Sequence, residues 1–397
     1  MKSTITQTLE IPVKYTPDVL VVGGGFAGIA AALSAARMGK KVMLVEKSYY
    51  LGGLGTSGLV TIYLPICDGK GRQVSFGIAE ELLKLSIEYD CDGKLGVKNW
   101  VRGEGTRDEH SPRYEVNFNP ALFATSAEKA LLKEGVEILF GVSLVSAVTE
   151  DEKIRYAVVE GKSGRYAIEA KSYVDASGDA DLSDRAGAPT EKCGFGNVLS
   201  AWYYSYGQDG WNLHMTGDID VIPGSVPPEK ASRVRYSGLD DGEISLYMER
   251  SRDRMLSAVL EARKTDETHV PTTIATIPQF RMTRRIAGER TFTKADNHRE
   301  FPDSLGLFSN WRERGPIYEC PLSTLYSRKI KNLIVAGRCQ SADDAMLEIS
   351  RVIPCCSVMG EGAGVVAALT DDIPAFDVTK AQEVLRERGI PLHENEL

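Results

Sequence analysis

The run Val19-Leu20-Val21-Val22, followed at once by Gly23-x-Gly25-x-x-Gly28, constrains this chain more than any other feature. Four consecutive apolar residues suit a strand buried on both faces, as in a parallel sheet. Ile29–Met38 is rich in Ala and Leu and reads as a tightly packed helix, with Gly39 where a C′ glycine belongs. Val42–Val45 makes a second buried strand, closed by Glu46 and followed by Lys47. The whole is a βαβ unit of about 30 residues. In that setting Gly23 permits a tight turn, Gly25 lets the backbone approach a pyrophosphate, and Gly28 lets helix and strand pack closely. The helix start, at Phe26 and Ala27, offers free N–H groups and a partial positive charge to the phosphates. Glu46 lies 18 positions beyond Gly28. Its carboxylate suits a ribose 2′-OH and repels a 2′-phosphate, which disfavours NADP and leaves NAD and FAD.

The chain has 397 residues, which fits two domains or one large domain with an insertion. A glycine-rich stretch, Gly52-Gly53-Leu54-Gly55-Thr56, follows the acidic residue, and Gly77–Asp90 then reads as a helix. Asn119 as N-cap, Pro120 at N1 and Gly135 at C′ bracket a clear helix. Val136–Phe140, Leu144–Val148 and Ile154–Glu160 read as strands, and Tyr166–Lys171 completes a hairpin through Lys162-Ser163-Gly164. From Cys193 the texture changes: AWYYSYG is aromatic and alternating, Gly242–Lys264 is mainly helical, and Thr272–Thr293 alternates like strands. Asn332–Ala336 is again a buried strand, Pro354–Leu369 a glycine- and alanine-rich helix, and Thr379–Arg388 a short surface helix. The expected organisation is an α/β nucleotide-binding domain over residues 1–192 and 301–397, with an inserted cap or substrate domain at 193–300.

A formal net charge of −8 leaves no basic surplus for nucleic acid. The seven cysteines are odd in number and form no C-x-x-C, and the five histidines have no metal-ligand spacing. Neither a disulfide framework nor a zinc site is expected, and a reducing cytoplasm is the natural compartment. The first residues carry no apolar secretory segment, and no apolar stretch reaches the roughly 18 residues of a membrane helix.

Four later places carry a resemblance. They are the glycine stretch from Gly52; Val174-Asp175-Ala176-Ser177-Gly178-Asp179-Ala180-Asp181; Arg284-Arg285-Ile286-Ala287-Gly288-Glu289; and Asn332–Cys339 leading to Arg351–Cys355 and Met359-Gly360-x-Gly362-Ala363-Gly364. In this order they resemble the FAD-dependent oxidoreductases of the glutathione-reductase-like superfamily, on the fumarate-reductase-type branch. The resemblance runs from about Pro12 to Leu369. It implies a Rossmann-like FAD-binding domain of the glutathione-reductase type, with an inserted α+β cap.

The resemblance also implies site roles. The adenine would contact the backbone near Leu144. Ala176, Ser177, Gly178 and Asp179 would sit beside the pyrophosphate, and Gly337 and Arg338 beside the ribityl and phosphate region. Gly53, Gly55 and Thr56 would pass near the isoalloxazine ring. The helix from Pro354, with Met359 and Gly360, would aim its positive end at the flavin N1/C2=O edge and raise the potential. Met282, Asp343 and Asp344 depart from the family pattern in the region of the substrate pocket. Asp179 also suits a plain turn, Gly360 plain helix packing, and Arg284 and Arg285 plain strand positions.

The implied activity is hydride transfer at flavin N5 to or from a small organic substrate. Arg351 is the first candidate for a substrate or flavin contact and Arg284 the second; His110 and His298 lie in loops that could reach the cleft. Cys355-Cys356 reads as a pair of structural thiols, because adjacent cysteines rarely bridge without strain. With no second G-x-G-x-x-G set between a strand and a helix, electrons would pass to the substrate, a carrier protein, a quinone or oxygen. The alternatives are an NAD-binding enzyme of related fold without flavin chemistry, and a flavin-binding subunit without turnover of its own. The oligomeric state stays open, a homo-oligomer included.

Overall fold

The computed structural model describes residues 4–88, 116–219 and 222–397. Its centre is a five-stranded parallel sheet in the spatial order Leu333–Val335, Ser172–Asp175, Val19–Val22, Val42–Glu46, Glu137–Phe140. Four of these strands, Leu333–Val335, Ser172–Asp175, Val19–Val22 and Val42–Glu46, are buried along their whole length, as expected of a parallel sheet covered on both faces. The chain steps from Val19–Val22 to one neighbour and later returns to the other side. The order therefore reverses at this strand, and a crevice opens beyond the carboxyl ends.

The Phe26–Ala36 helix covers one face and packs against the long Ile353–Leu369 helix. The approach is backbone to backbone. A Cβ on Gly364 would stand 2.3 Å from the carbonyl oxygen of Ala31, so only glycine fits there. A second, four-stranded sheet orders Val13–Tyr15, Gly164–Ile168, Lys153–Gly161 and Ser143–Glu150. The helix opened by Asn119 runs Pro120–Lys133, and the Asn119 Oδ1 accepts the backbone N–H groups of Ala121 and Leu122 at 2.9 and 3.1 Å.

The 193–300 stretch holds a three-stranded antiparallel sheet, with Ser200–Gly207 between Gly210–Gly217 and Val270–Ile274. The Asp241–Ala262 helix packs on it, capped by Asp240. Leu199, Tyr236, Tyr247 and Phe280 form a small apolar core of their own there. Thr272–Thr293 is not the run of strands that its alternation suggests. Only Val270–Ile274 and Arg284–Ile286 are strands. Between them the chain is stitched to the glycine stretch and to Asn197: Thr276 N–H donates to Ser57 O at 2.8 Å, and Arg281 N–H to Asn197 Oδ1 at 2.8 Å. Pro278 removes a ladder donor in the same place.

Two features are absent from the sequence reading. Ser304–Ser309 and Ile317–Pro321 pair as a buried hairpin. A short helix, Asp344–Ser350, capped by Asp343, precedes the Ile353–Leu369 helix. Among the described residues no single helix is long and apolar enough to cross a membrane. These last two are apolar enough together, but they meet at 90°.

Candidate flavin-binding cleft

A cleft of about 1020 Å³ of empty space, its open mouth included, lies at the carboxyl ends of the central strands, the scale of a cofactor site. The first glycine turn forms one wall. Gly23 adopts a φ of +104°, and a Cβ there would lie 2.5 Å from the Ala176 carbonyl oxygen; one on Gly28 would lie 1.9 Å from the Gly23 oxygen. A Cβ on Gly25, by contrast, would meet nothing within 4 Å. The outer two glycines serve packing, and the middle one faces open cleft, as a pyrophosphate requires. No side chain caps the Phe26–Ala36 helix, so its first N–H groups are left for an anion.

Glu46 is buried at the edge of this wall. Its Oε2 accepts Gly24 N–H at 2.7 Å, and its Oε1 accepts both the N–H and the hydroxyl of Ser48 at 2.8 Å. These bonds tie the acid to the loop it serves, and Oε2, with one bond accepted, keeps a further lone pair for a ribose hydroxyl. Lys47 lies at the exposed rim.

The second glycine turn is built around Asp175, which is fully buried. Its carboxylate accepts the N–H and hydroxyl of Ser177 and the N–H and hydroxyl of Ser183, at 2.6 to 3.1 Å. Burial pushes the Asp175 carboxyl up, and those bonds oppose the rise. The turn brings Ala176, Ser177, Gly178 and Asp179 into the cleft wall. Asp179 also holds the cap segment: its Oδ1 accepts the Thr283 hydroxyl at 2.6 Å, and the Arg338 guanidinium lies 3.6 Å away.

The remaining wall contains Gly53 and Gly55, Gly337 and Arg338, Arg351, Ile353 and Cys356. The Ile353–Leu369 helix also starts without a side-chain cap. Burial pushes the Cys356 thiol up to about 12, so it stays protonated. Its neighbour Cys355 is buried and donates to the Ile349 carbonyl at 3.6 Å.

Several sequence candidates sit elsewhere. Gly28, Met359 and Gly360 are in the packed core behind the wall, and Pro354 is buried in the first turn of its helix. The Thr56 hydroxyl turns inward to the Leu51 carbonyl. Leu144 is half-buried on the second sheet. Arg284 is committed to an acidic pair, 2.9 Å from Asp181 and 2.6 Å from Asp184. Its side chain is 13% exposed, unlike a solvated strand position. His298 pairs with Glu394 at 2.7 Å, and His110 lies outside the described residues. Asp344 pairs with Arg285 at 2.8 Å and Met282 is core. The cleft residues not anticipated include Ile277, Pro278 and Phe280, from the 193–300 stretch. The only signal for them was the proline inside an otherwise strand-like run.

A family model described as FAD dependent oxidoreductase matches residues 18–197 and 233–376. A probable fumarate reductase of Shewanella frigidimarina is 29% identical over 294 residues, covering 64% of this chain and 48% of that protein. This chain thus spans about half the length of that curated relative. The thioredoxin reductase of Ureaplasma parvum is 34% identical over 83 residues, 20% of this chain and 27% of its own. Among solved structures, the open conformation of a flavocytochrome c3 fumarate reductase aligns with 90% of this chain and 79% of its own, at 17% identity and a TM-score of 0.42. With the family model matching well over half of the sequence and a glycine cradle that suits a dinucleotide, the chain belongs to the FAD-dependent oxidoreductases, and its cofactor is FAD.

Proposed function

We propose that this protein exchanges a hydride between the flavin and a small organic substrate held between the cleft and the 193–300 segment. The observation that carries this reading is the position of Arg351, a guanidinium in the cleft wall just before the uncapped start of the Ile353–Leu369 helix. Bound FAD supplies two-electron chemistry at its N5 atom. The residues of the chain bind, orient and exclude water. The N–H groups from Gly25 to Ala27 hold the pyrophosphate, and Glu46 takes the ribose hydroxyls. The open N–H groups at Ile353 and beyond favour negative charge on whatever part of the cofactor they face. Ile277, Pro278 and Phe280 screen the cleft with apolar surface. Arg351 stabilises negative charge on a substrate as electrons arrive.

The electron partner in this reading is external, because only Gly23-x-Gly25-x-x-Gly28 joins a buried strand to a helix, whereas Gly53-x-Gly55-x-x-Gly58 repeats the spacing in a 3-10 turn. The test is anaerobic photoreduction of the purified protein, followed by mixing with keto acids, unsaturated acids, quinones and oxygen. The oxidised protein should show flavin bands near about 370 and 450 nm. Reoxidation by an organic acceptor supports the reading. Flavin that no organic acceptor reoxidises, and no organic donor reduces, overturns it.

A further inference from the structure

The 193–300 segment carries a sheet with an unblunted edge. Its central strand, Ser200–Gly207, is flanked by Gly210–Gly217 and Val270–Ile274, and no further strand pairs with either of these among the described residues. An open edge offers a row of backbone N–H and C=O groups to another strand, and folded proteins blunt such edges with charge, proline or a bulge. The Val270–Ile274 edge is blunted. It carries Pro271, and its register with the central strand shifts between Tyr204 and Ser205. The Gly210–Gly217 edge has neither device. Its sequence GWNLHMTG holds no Pro, Lys, Arg, Asp or Glu. Its register runs unbroken from Gly210 opposite Gly207 to Gly217 opposite Ser200.

The bonds on the inner side of this strand decide which residues face out. Just past its end, Asp218 N–H donates to Leu199 O at 2.7 Å. Peptide groups alternate in direction along an antiparallel strand. Even-numbered residues therefore turn theirs to the central strand, and Trp211, Leu213 and Met215 turn theirs outward. The same three side chains share one face of the sheet. It is the face of Tyr206, Tyr204 and Trp202, which stand opposite Trp211, Leu213 and Met215. Trp211 lies flat on Tyr204 with ring centroids 4.1 Å apart, yet it is 46% exposed, beside Met215 at 59% and Tyr206 at 57%. Large apolar side chains that are contiguous and half-open on one face mark an interaction surface.

The outward row is symmetric about Leu213, with Trp211 and Met215 equally far to either side. A two-fold axis at Leu213 pairs the strand with itself in antiparallel register. Leu213 then faces Leu213 of a second copy, and each Trp211 faces Met215 of the other. All three outward residues are used, which gives about six backbone hydrogen bonds. Each thioether meets an indole, a favourable contact. Charge agrees with this pairing. The whole chain carries a formal net charge of −8, so two copies repel over most of their surface, but this edge holds no carboxylate. At the rim the same register sets Gln208 opposite Asp218, which pairs with Arg254 at 3.4 Å. Asp209, in the turn of one copy, thus approaches Arg254 of the other. We propose that the Gly210–Gly217 edge binds a second copy of this chain, joining two 193–300 segments into one six-stranded sheet, three strands from each copy. A contact of this kind presents the same patch on both sides and closes after two chains.

The experiment uses the full-length, FAD-loaded protein in sedimentation velocity across about a hundredfold range of concentration. The wild type should sediment as a dimer at the upper end. Met215→Glu sets a carboxylate against Trp211 of the second copy. It should raise the dissociation constant at least about tenfold, with flavin content unchanged. Leu213→Cys places two thiols across the axis, within reach of a disulfide. It should cross-link under a mild oxidant beyond the wild-type background, whereas Val270→Cys, on the blunted edge, should not. If Met215→Glu does not fold, the two cysteine variants decide. A monomer at every concentration, a dimer that Met215→Glu leaves intact, or cross-linking at Val270→Cys equal to that at Leu213→Cys overturns the proposal.

Discussion

A Cβ on Gly360 would stand 2.2 Å from the carbonyl oxygen of Ala27, and Ala27 itself forms part of the cleft wall. The helix that closes the domain therefore supports the glycine turn from behind. Replacing Gly360 with Ala must push the two helices apart, at a cost of about 1–3 kcal/mol. The same substitution at Gly364, one turn further from the cleft against Ala31, should cost as much stability. The two should differ in cofactor affinity: Gly360→Ala weakens FAD binding and Gly364→Ala largely spares it. Paired thermal melts and FAD-release fluorescence measure this, and equal FAD affinity in both would contradict the support role.

Glu46 anchors the turn through Gly24 N–H and Ser48. Glu46→Ala should loosen that loop and remove the proposed ribose acceptor, weakening FAD retention by about tenfold or more, since bonds to a charged acceptor contribute about 1.5–3 kcal/mol. Equilibrium dialysis against FAD measures the change.

Arg284 joins the 193–300 segment to the second glycine turn, donating to the Asp179 carbonyl at 3.0 Å as well as pairing with Asp181 and Asp184. Arg284→Ala should leave two carboxylates repelling each other beside the second glycine turn. The expected result is a lower melting temperature and several-fold weaker FAD binding, with an unchanged flavin reduction rate once FAD saturates. A large fall in that rate in saturated protein would instead give Arg284 a direct role with the substrate.

Glu361 lies buried in the Ile353–Leu369 helix, and its carboxylate accepts Ile78 N–H at 2.7 Å with Arg388 3.5 Å away. Burial raises its pKa from 4.5 to about 7, against the pull of that bond and of Arg388. Between about pH 4.5 and 7 the unfolded chain is ionised while the folded carboxyl keeps its proton. Stability is thus lost as pH rises through that window, by about 3 kcal/mol at most. Glu361→Gln, which is neutral throughout, should gain on the wild type over the same rise. Denaturant titrations of both proteins at pH 5 and 8 test the sign.

Much of the cofactor half was legible because its signals are local. Val19–Val22, the three glycines and Glu46 stand within one βαβ unit, where spacing along the chain is spacing in the fold. Asp175 and the turn at Gly178 were legible for the same reason. The ion pairs of Arg284 were not legible because its partners, Asp181 and Asp184, are about a hundred positions away. Thr272–Thr293 misled through its alternation, since the hydrogen bonds of residues 276 to 281 go to distant loops rather than to a neighbouring strand.

The sequence by itself determined a parallel sheet, a tight glycine turn at its edge and a family, because backbone conformation at Gly23 and burial at Val19–Val22 depend on residues close in the chain. Only the tertiary structure decided which charges meet. Arg281, Arg312, Glu348 and Arg351 come from three separate segments, the insert, the turn between Ser304–Ser309 and Ile317–Pro321, and the closing helix pair, and no periodicity links them. Their convergence depends on how the 275–283 loop folds back over Ser57 and Asn197, and that is a matter of packing between segments far apart in the chain.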